Sequence, residues 1–246
     1  MHNDNEQLIS LVCGENIGST WLNLVDIVLS RGALDFDEGR ERIYLRSVVI
    51  RSLTQLFPDI FIEKYGKKEN IDAMIDLMFH NKEMYDFDVV PSFSHGGQSY
   101  YARIKNWKMI DFVVNRLAII PESKKAVMSF IRKEDYEKVL ENPKDDYLPC
   151  ITTIQFLLVK DKNNKNYYLN TLFNARSIDV YQKAGGNFAS IALLSKIIAE
   201  KLENKLNMPV LTGFLDGLIA DAHIYKETLD DAKKTIKLYK ENEKTS

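Results

Sequence analysis

Four short segments in the second half of the chain carry side chains that could do chemistry together. Leu148-Pro149-Cys150 offers a thiol, and Asn174-Ala175-Arg176-Ser177-Ile178-Asp179 an arginine, a hydroxyl and a carboxylate. Gly186-Asn187-Phe188-Ala189-Ser190 offers an amide, and Asp221-Ala222-His223-Ile224-Tyr225 a His/Tyr pair. A thiolate is a nucleophile, and a guanidinium beside a thiol favours that form. An Asn side chain can accept a hydrogen bond from a uracil N3–H and donate one to O4, whereas cytosine reverses the pattern. His223 and Tyr225 are two apart, so on a strand they share a face and could hold a sugar hydroxyl. Together these groups are equipped to hold a pyrimidine nucleotide and attack its ring.

Each segment also has a plainer reading. A free Cys is most often a small buried hydrophobe, and an Arg most often joins a surface ion pair. Asn187, after Gly185-Gly186, suits a helix N-cap. The His/Tyr pair suits an exposed strand end. It is the joint pattern that outweighs the separate alternatives.

Elements must position these groups. Trp21–Ser30 reads as an amphipathic helix, with Leu45–Leu56 and Ile71–Phe79 as two more. Ser92–Tyr101 is Ser/Gly-rich and reads as a loop leading into a short element. Met109–Leu117 is helical, Pro121-Glu122-Ser123 a turn, and Ala126–Phe130 a strand. Ile151–Val159 and Tyr167–Phe173 pair across the polar turn Asp161–Asn166, which would bring Arg176 near Cys150. Asn187–Leu202 is a long apolar helix, and Val210–Ala220 is strand-like. From Glu227 a helix fades into the charged stretch Lys237–Ser246. Strand pairs interspersed with helices predict an α+β fold around a mixed or antiparallel sheet with flanking helices.

The chain has 246 residues, 45% hydrophobic and 28% charged, enough for one sizeable core. A net charge of −2 gives no basic field for a nucleic-acid polymer. The apolar runs are too short to span a bilayer. The start, Met1-His2-Asn3-Asp4-Asn5-Glu6, lacks the parts of a signal peptide. Two cysteines, Cys13 and Cys150, make no disulfide scaffold, so the expected location is the cytoplasm. No metal site is expected.

From about Tyr101 to Tyr225 the order and types of these segments resemble the thymidylate synthase family, which includes the pyrimidine nucleotide hydroxymethylases. From Arg176 to Ser190 the family's motif aligns without a gap, with Pro-Cys upstream and Asp-Ala-His-Ile-Tyr downstream. The resemblance implies one thymidylate-synthase-like domain over residues 1–246, divergent over 1–100. It implies a homodimer acting on a uracil nucleotide, dUMP or UMP, with 5,10-methylenetetrahydrofolate as cofactor. By the same resemblance Cys150 adds to C6 and C5 takes a one-carbon unit. The product carries methyl, or hydroxymethyl in the hydroxymethylases. Arg176 and Ser177 match the family's phosphate contacts, Asn187 its base-reading Asn, His223 and Tyr225 its sugar contacts, and Asp179 an Asp near the folate. Lys124 and Lys125 stand where the partner subunit lends two arginines, keeping charge but losing the bidentate fork.

The chain departs from the pattern at several places. Ile151 replaces a common His. Gln182-Lys183-Ala184-Gly185-Gly186 replaces the segment before the Asn. The nearest match to the family's Glu-bearing helix, Leu45-Arg46-Ser47-Val48-Val49, puts Arg51 or Ser52 at the place of the Glu, and the sequence stops soon after the His/Tyr motif. These departures leave the nucleotide half of the site better matched than the folate half. A nucleotide-binding relative without turnover is the rival of a different class.

Overall fold

The computed structural model describes residues 9–81, 97–141, 148–163 and 165–244. Among the described residues eight strands and eight helices alternate irregularly. The first half holds β1 (Ser10–Gly14), α1 (Ile17–Arg31), β2 (Ala33–Asp37), β3 (Arg40–Ser52), α2 (Ile60–Tyr65), α3 (Lys68–Phe79), α4 (Tyr100–Asn106) and α5 (Met109–Ile119). The second holds β4 (Val127–Ser129), α6 (Lys133–Glu141), β5 (Ile151–Lys160), β6 (Tyr167–Ala175), β7 (Ile178–Asp179), α7 (Ala184–Leu206), β8 (Val210–Tyr225) and α8 (Lys226–Glu243).

All the strands form one mixed sheet in the order β1-β3-β8-β6-β5-β4, with β2 beside β3 and β7 beside β8. β6 runs parallel to β8, while β5 is antiparallel to β6 and β3 antiparallel to β8. This is the α+β class expected from the sequence. One face of the sheet packs on helices. Val48 and Ile50 of β3, Phe156 of β5, Phe173 of β6 and Ile219 of β8 are fully buried with Trp21 and Leu22 of α1 and Phe188 and Ile191 of α7. The alternate residues Leu11, Cys13, Arg51 and Leu218 point to the other face and are exposed.

The alternation inverts once on each of β3 and β8. Before Ser47, Ile43 and Leu45 pack against the core; after it, Val48 and Ile50 do. On β8 the core-facing set passes from Ile219 to Ala222 and Ile224. Ser47 has φ of 56°, and the ladder passes over it from Arg46↔Asp221 to Val48↔Ile219. A period-2 pattern broken in mid-strand hides the strand from a sequence reading, and Leu45–Leu56 is therefore no helix. Leu53 and Leu56, just past the end of the strand, are exposed. The Val48-Val49-Ile50 run favours a strand, and β8 supplies its backbone partners.

Other expectations shift at their ends. α7 begins at Ala184 with Lys183 at the N-cap, so Asn187 lies inside the first turn and is not the cap. β8 continues to Tyr225 and α8 to Glu243, so the charged stretch is helical that far. β1, β2, α2, α6 and β7 were not read from the sequence, while α4 stands where a short element was expected after the Ser92–Tyr101 loop. Residues 92–96 of the Ser92–Tyr101 loop fall outside the described residues, and Tyr100 and Tyr101 open α4.

Candidate active site

β5 and β6 bring the thiol and the arginine together. Ile151 faces Ala175 in the antiparallel ladder, and Arg176 N–H donates to the Cys150 carbonyl at 2.9 Å. The Arg176 guanidinium lies along the approach to the cysteine, donating from Nη2 to the Leu148 carbonyl at 2.7 Å and from Nε to the Pro149 carbonyl at 3.3 Å. It thus fixes the main chain that carries Cys150, while the side chain remains exposed. Cys150 is half-buried.

Ser177 turns the chain toward β8. Its Oγ lies 3.3 Å from His223 Nδ1, and the short β7 lays Asp179 opposite His223. His223 and Tyr225 leave β8 on the side opposite the fully buried Ala222 and Ile224, with ring centroids 4.9 Å apart. His223 Nδ1 is 2.9 Å from Asp221 Oδ1, which also accepts from Arg42 Nη1 at 2.7 Å. Burial pushes the Asp221 carboxyl up, but His223 and Arg42 together outweigh it and hold it below the usual range. Tyr225 donates to Asp37 Oδ2 at 2.7 Å. Burial and that carboxylate push its phenol well above its ordinary value, so it stays protonated.

Asp179 anchors the turn into α7. Its Oδ1 accepts from the N–H groups of Tyr181 and Gln182, and its Oδ2 from Gln182 Nε2 at 2.7 Å. Trp21 Nε1 donates to the Val180 carbonyl at 2.8 Å, and Asn70 Nδ2 to the Gln182 carbonyl at 3.2 Å. The close approach of α3 requires Gly186, where an added Cβ would lie 2.7 Å from Met74 Cβ. This scaffold holds Asn187, which is 2% exposed, with an Oδ1 that is buried and finds no partner among the described residues.

Cys150, Arg176, Ser177, Asp179, His223 and Tyr225 therefore gather at one end of β5, β6, β7 and β8, with Asn187 one turn into the helix that follows. Lys124 and Lys125 do not join them. Both are exposed, and the Lys124 carbonyl is held by Gln155, five residues beyond Cys150. At about 3.3 Å per strand residue that is about 16 Å away.

A model of the thymidylate synthase family matches residues 59–245. The chain belongs to the thymidylate synthase family. A curated relative, the thymidylate synthase of Buchnera aphidicola subsp. Baizongia pistaciae (strain Bp), is 28% identical over 148 residues, which is 57% of this chain and 49% of that protein. The chain thus spans about half the length of the curated relative it matches. The family match reaches back to residue 59, well before Tyr101, where the resemblance was first legible.

For this thymidylate synthase family member the structure adds residues that sequence reasoning missed. Tyr100 accepts the Ile151 N–H at 2.9 Å on its phenol oxygen and packs edge-on to Phe130 at 5.1 Å, bracing the chain just after Cys150. Arg42 and Asp37 serve the His/Tyr pair from β3 and β2. Tyr100 stands one residue before the resemblance began. Arg42 carries no sequence signal, because only the β3–β8 ladder brings it to Asp221. Among the described residues no group of His, Cys, Asp and Glu could hold a metal ion, and no helix is long and apolar enough to cross a membrane. The stretch expected to match the family's Glu-bearing helix is part of strand β3, and Arg51 there is engaged with Asp216 at 2.6 and 2.7 Å.

Proposed function

We propose that this chain is a transferase that adds a one-carbon unit, a methyl group, to C5 of a uracil nucleotide through a covalent Cys150 adduct. The observation that carries the reading is the Asn187 amide. A buried, unpartnered polar oxygen costs about 1–3 kcal/mol, so a ligand donor such as uracil N3–H is its natural complement. Cys150 sulfur adds to C6, and the electron pair of the broken C5–C6 double bond makes C5 nucleophilic. Arg176 and Ser177 meet the phosphate, and His223 and Tyr225 the sugar. Methylenetetrahydrofolate would supply both the methylene carbon and the hydride that reduces it to methyl, leaving as dihydrofolate, while C5 gives up its proton and the Cys150 thiolate leaves C6 to restore the ring double bond. On its side, Asp179 Oδ2 has one partner and retains capacity for one more donor, which fits a folate N–H.

The test is tritium release from C5-tritiated dUMP and UMP, with and without methylenetetrahydrofolate, with products identified by mass. Release with a methylated product supports the proposal, and a hydroxymethyl product moves the chain to the hydroxymethylase branch. Nucleotide binding with no release under any condition makes it a non-catalytic relative.

Asn187→Asp is expected to shift preference from uracil toward cytosine by about tenfold or more, since a protonated acid donates where cytosine N3 accepts. Binding of dUMP and dCMP to both proteins checks this. Wild type preferring dCMP would sink the base assignment.

The reading includes a homodimer. Lys124 and Lys125 are too far along the sheet to reach their own Arg176. The sheet face opposite α1 and α7 carries the exposed Leu11 and Leu218 beside the Arg51–Asp216 pair, and a second copy would cover it. Mixing Cys150→Ser protein with Lys124→Ala/Lys125→Ala protein is expected to recover part of the activity, because one hybrid site then has a thiol and a partner's lysines. A monomer in sedimentation at assay concentration, or no recovery, rules out the shared site.

A further inference from the structure

We propose that Arg42 sets the direction of the hydrogen bonds at the sugar end of the site. It makes His223 and Tyr225 a pair of acceptors that admits a free ring hydroxyl of a 5′-nucleotide and rejects a phosphate at that position. The proposal rests on the reading of the site as a nucleotide site.

Arg42 is 8% exposed and reaches three carboxylates: Asp221 at 2.7 Å, Asp35 at 3.7 Å and Asp37 at 4.0 Å. Two of these are the partners of the His/Tyr pair. Its guanidinium also lies 5.1 Å from the Tyr44 ring, which is paired in register with His223. One cation therefore fixes both acids that fix the two sugar-facing tips.

The proton positions follow. An ionised carboxylate only accepts hydrogen bonds, so Asp221 requires the proton on His223 Nδ1. The weaker 3.3 Å contact with Ser177 falls on the same nitrogen. In the neutral ring Nε2 is then an acceptor. Tyr225 has one proton and gives it to Asp37, so its oxygen presents lone pairs to a ligand. A ring hydroxyl brings one proton and gives it to one of the two acceptors, whereas a phosphate ester brings none and opposes acceptor to acceptor at both. The substrate is thus a monomeric nucleotide with its ring hydroxyl free, not one embedded in a chain through that hydroxyl. Arg42 is a positioning residue here, acting through Asp221 and Asp37.

Calorimetry at about pH 8, above the ordinary imidazole range, tests this with dUMP, 2′,3′-dideoxyuridine 5′-monophosphate and deoxyuridine 3′,5′-bisphosphate. Wild type is expected to bind dUMP about tenfold more tightly than either analogue. Arg42→Met should weaken dUMP about tenfold and leave the dideoxy nucleotide unchanged, so that discrimination disappears. Arg42→Lys should restore part of it, keeping the charge without the fork. Equal weakening of all three ligands would show a merely structural residue and overturn the proposal. Asp37→Asn provides an independent route, and decides alone if Arg42→Met does not fold. Its amide can donate to the Tyr225 oxygen and turn the phenol O–H toward the ligand. The bisphosphate should then gain relative to dUMP; unchanged discrimination overturns the proposal. Wild type that binds neither dUMP nor UMP would defeat the nucleotide reading itself. Wild type that binds dUMP and the dideoxy nucleotide equally defeats only the hydroxyl assignment.

Discussion

Cys150→Ser is expected to lower turnover by about four orders of magnitude or more while nucleotide affinity stays within about threefold. A nucleophile removed from a covalent route takes the whole route with it. A serine hydroxyl is smaller, and at neutral pH it is a far poorer nucleophile than a thiol. The nucleotide contacts proposed above lie elsewhere. Arg176 is seated on the Leu148 and Pro149 carbonyls, and its N–H on the Cys150 carbonyl, none of which the substitution touches. Asn187 is held by α7. The measurement pairs single-turnover chemistry with calorimetric dUMP binding, and mass spectrometry looks for a protein–nucleotide adduct in wild type only. Near-normal turnover in the variant would eliminate Cys150 as nucleophile. Cys13→Ser serves as the control. Cys13 is exposed on β1, on the sheet face opposite α1 and α7, and its replacement should leave the kinetics unchanged.

What the sequence made legible was local chemistry. Arg176-Ser177, Asp179, Asn187 and the His223/Tyr225 alternation all sit within short, gapless runs, where residue type and spacing carry the information. The β5–β6 hairpin was legible for the same reason, because a short polar turn joins two apolar runs. Long-range pairing was not. Arg42 meets Asp221 across 179 residues, and Tyr225 meets Asp37 across 188. Nothing in either strand's composition specifies the partner. β3 was hidden by its own geometry, because the inversion at Ser47 breaks the period that identifies a strand. β1 and β2 are five residues each and lie at the sheet's edge, too short for a pattern to emerge. Lys124 and Lys125 illustrate a third limit: their distance from Cys150 is a property of the folded sheet, and the reading that assigns them to a partner's site depends on it.

The support behind Cys150 gives the second large effect. Arg103 on α4 is 2% exposed and forms a bidentate pair with Asp135, both bonds at 2.7 Å. It also donates to the Phe130 carbonyl and, at 3.1 Å, to the Gln98 carbonyl. One turn earlier on the same helix, Tyr100 receives the Ile151 N–H. The ion pair therefore ties α4 to α6 and steadies the contact behind Cys150. Asp135→Ala leaves a buried guanidinium without its counter-ion, which costs about 3–5 kcal/mol, whereas replacing both partners by apolar residues costs less. Urea denaturation is expected to show the single variant as the less stable protein and Arg103→Met/Asp135→Leu as the milder one, with similar slopes. The pH dependence has a definite sign. Burial pushes the Asp135 carboxyl up, but Arg103 and the Arg132 N–H outweigh it and hold it below the usual range. A carboxyl lowered on folding adds stability above its unfolded value, about 3.9, and loses it as the pH falls through the folded one. Wild type should therefore lose stability on acidification below about pH 4 more steeply than the double variant does. A double variant less stable than Asp135→Ala, or parallel acid profiles, would show that the pair is not what holds α4 behind Cys150.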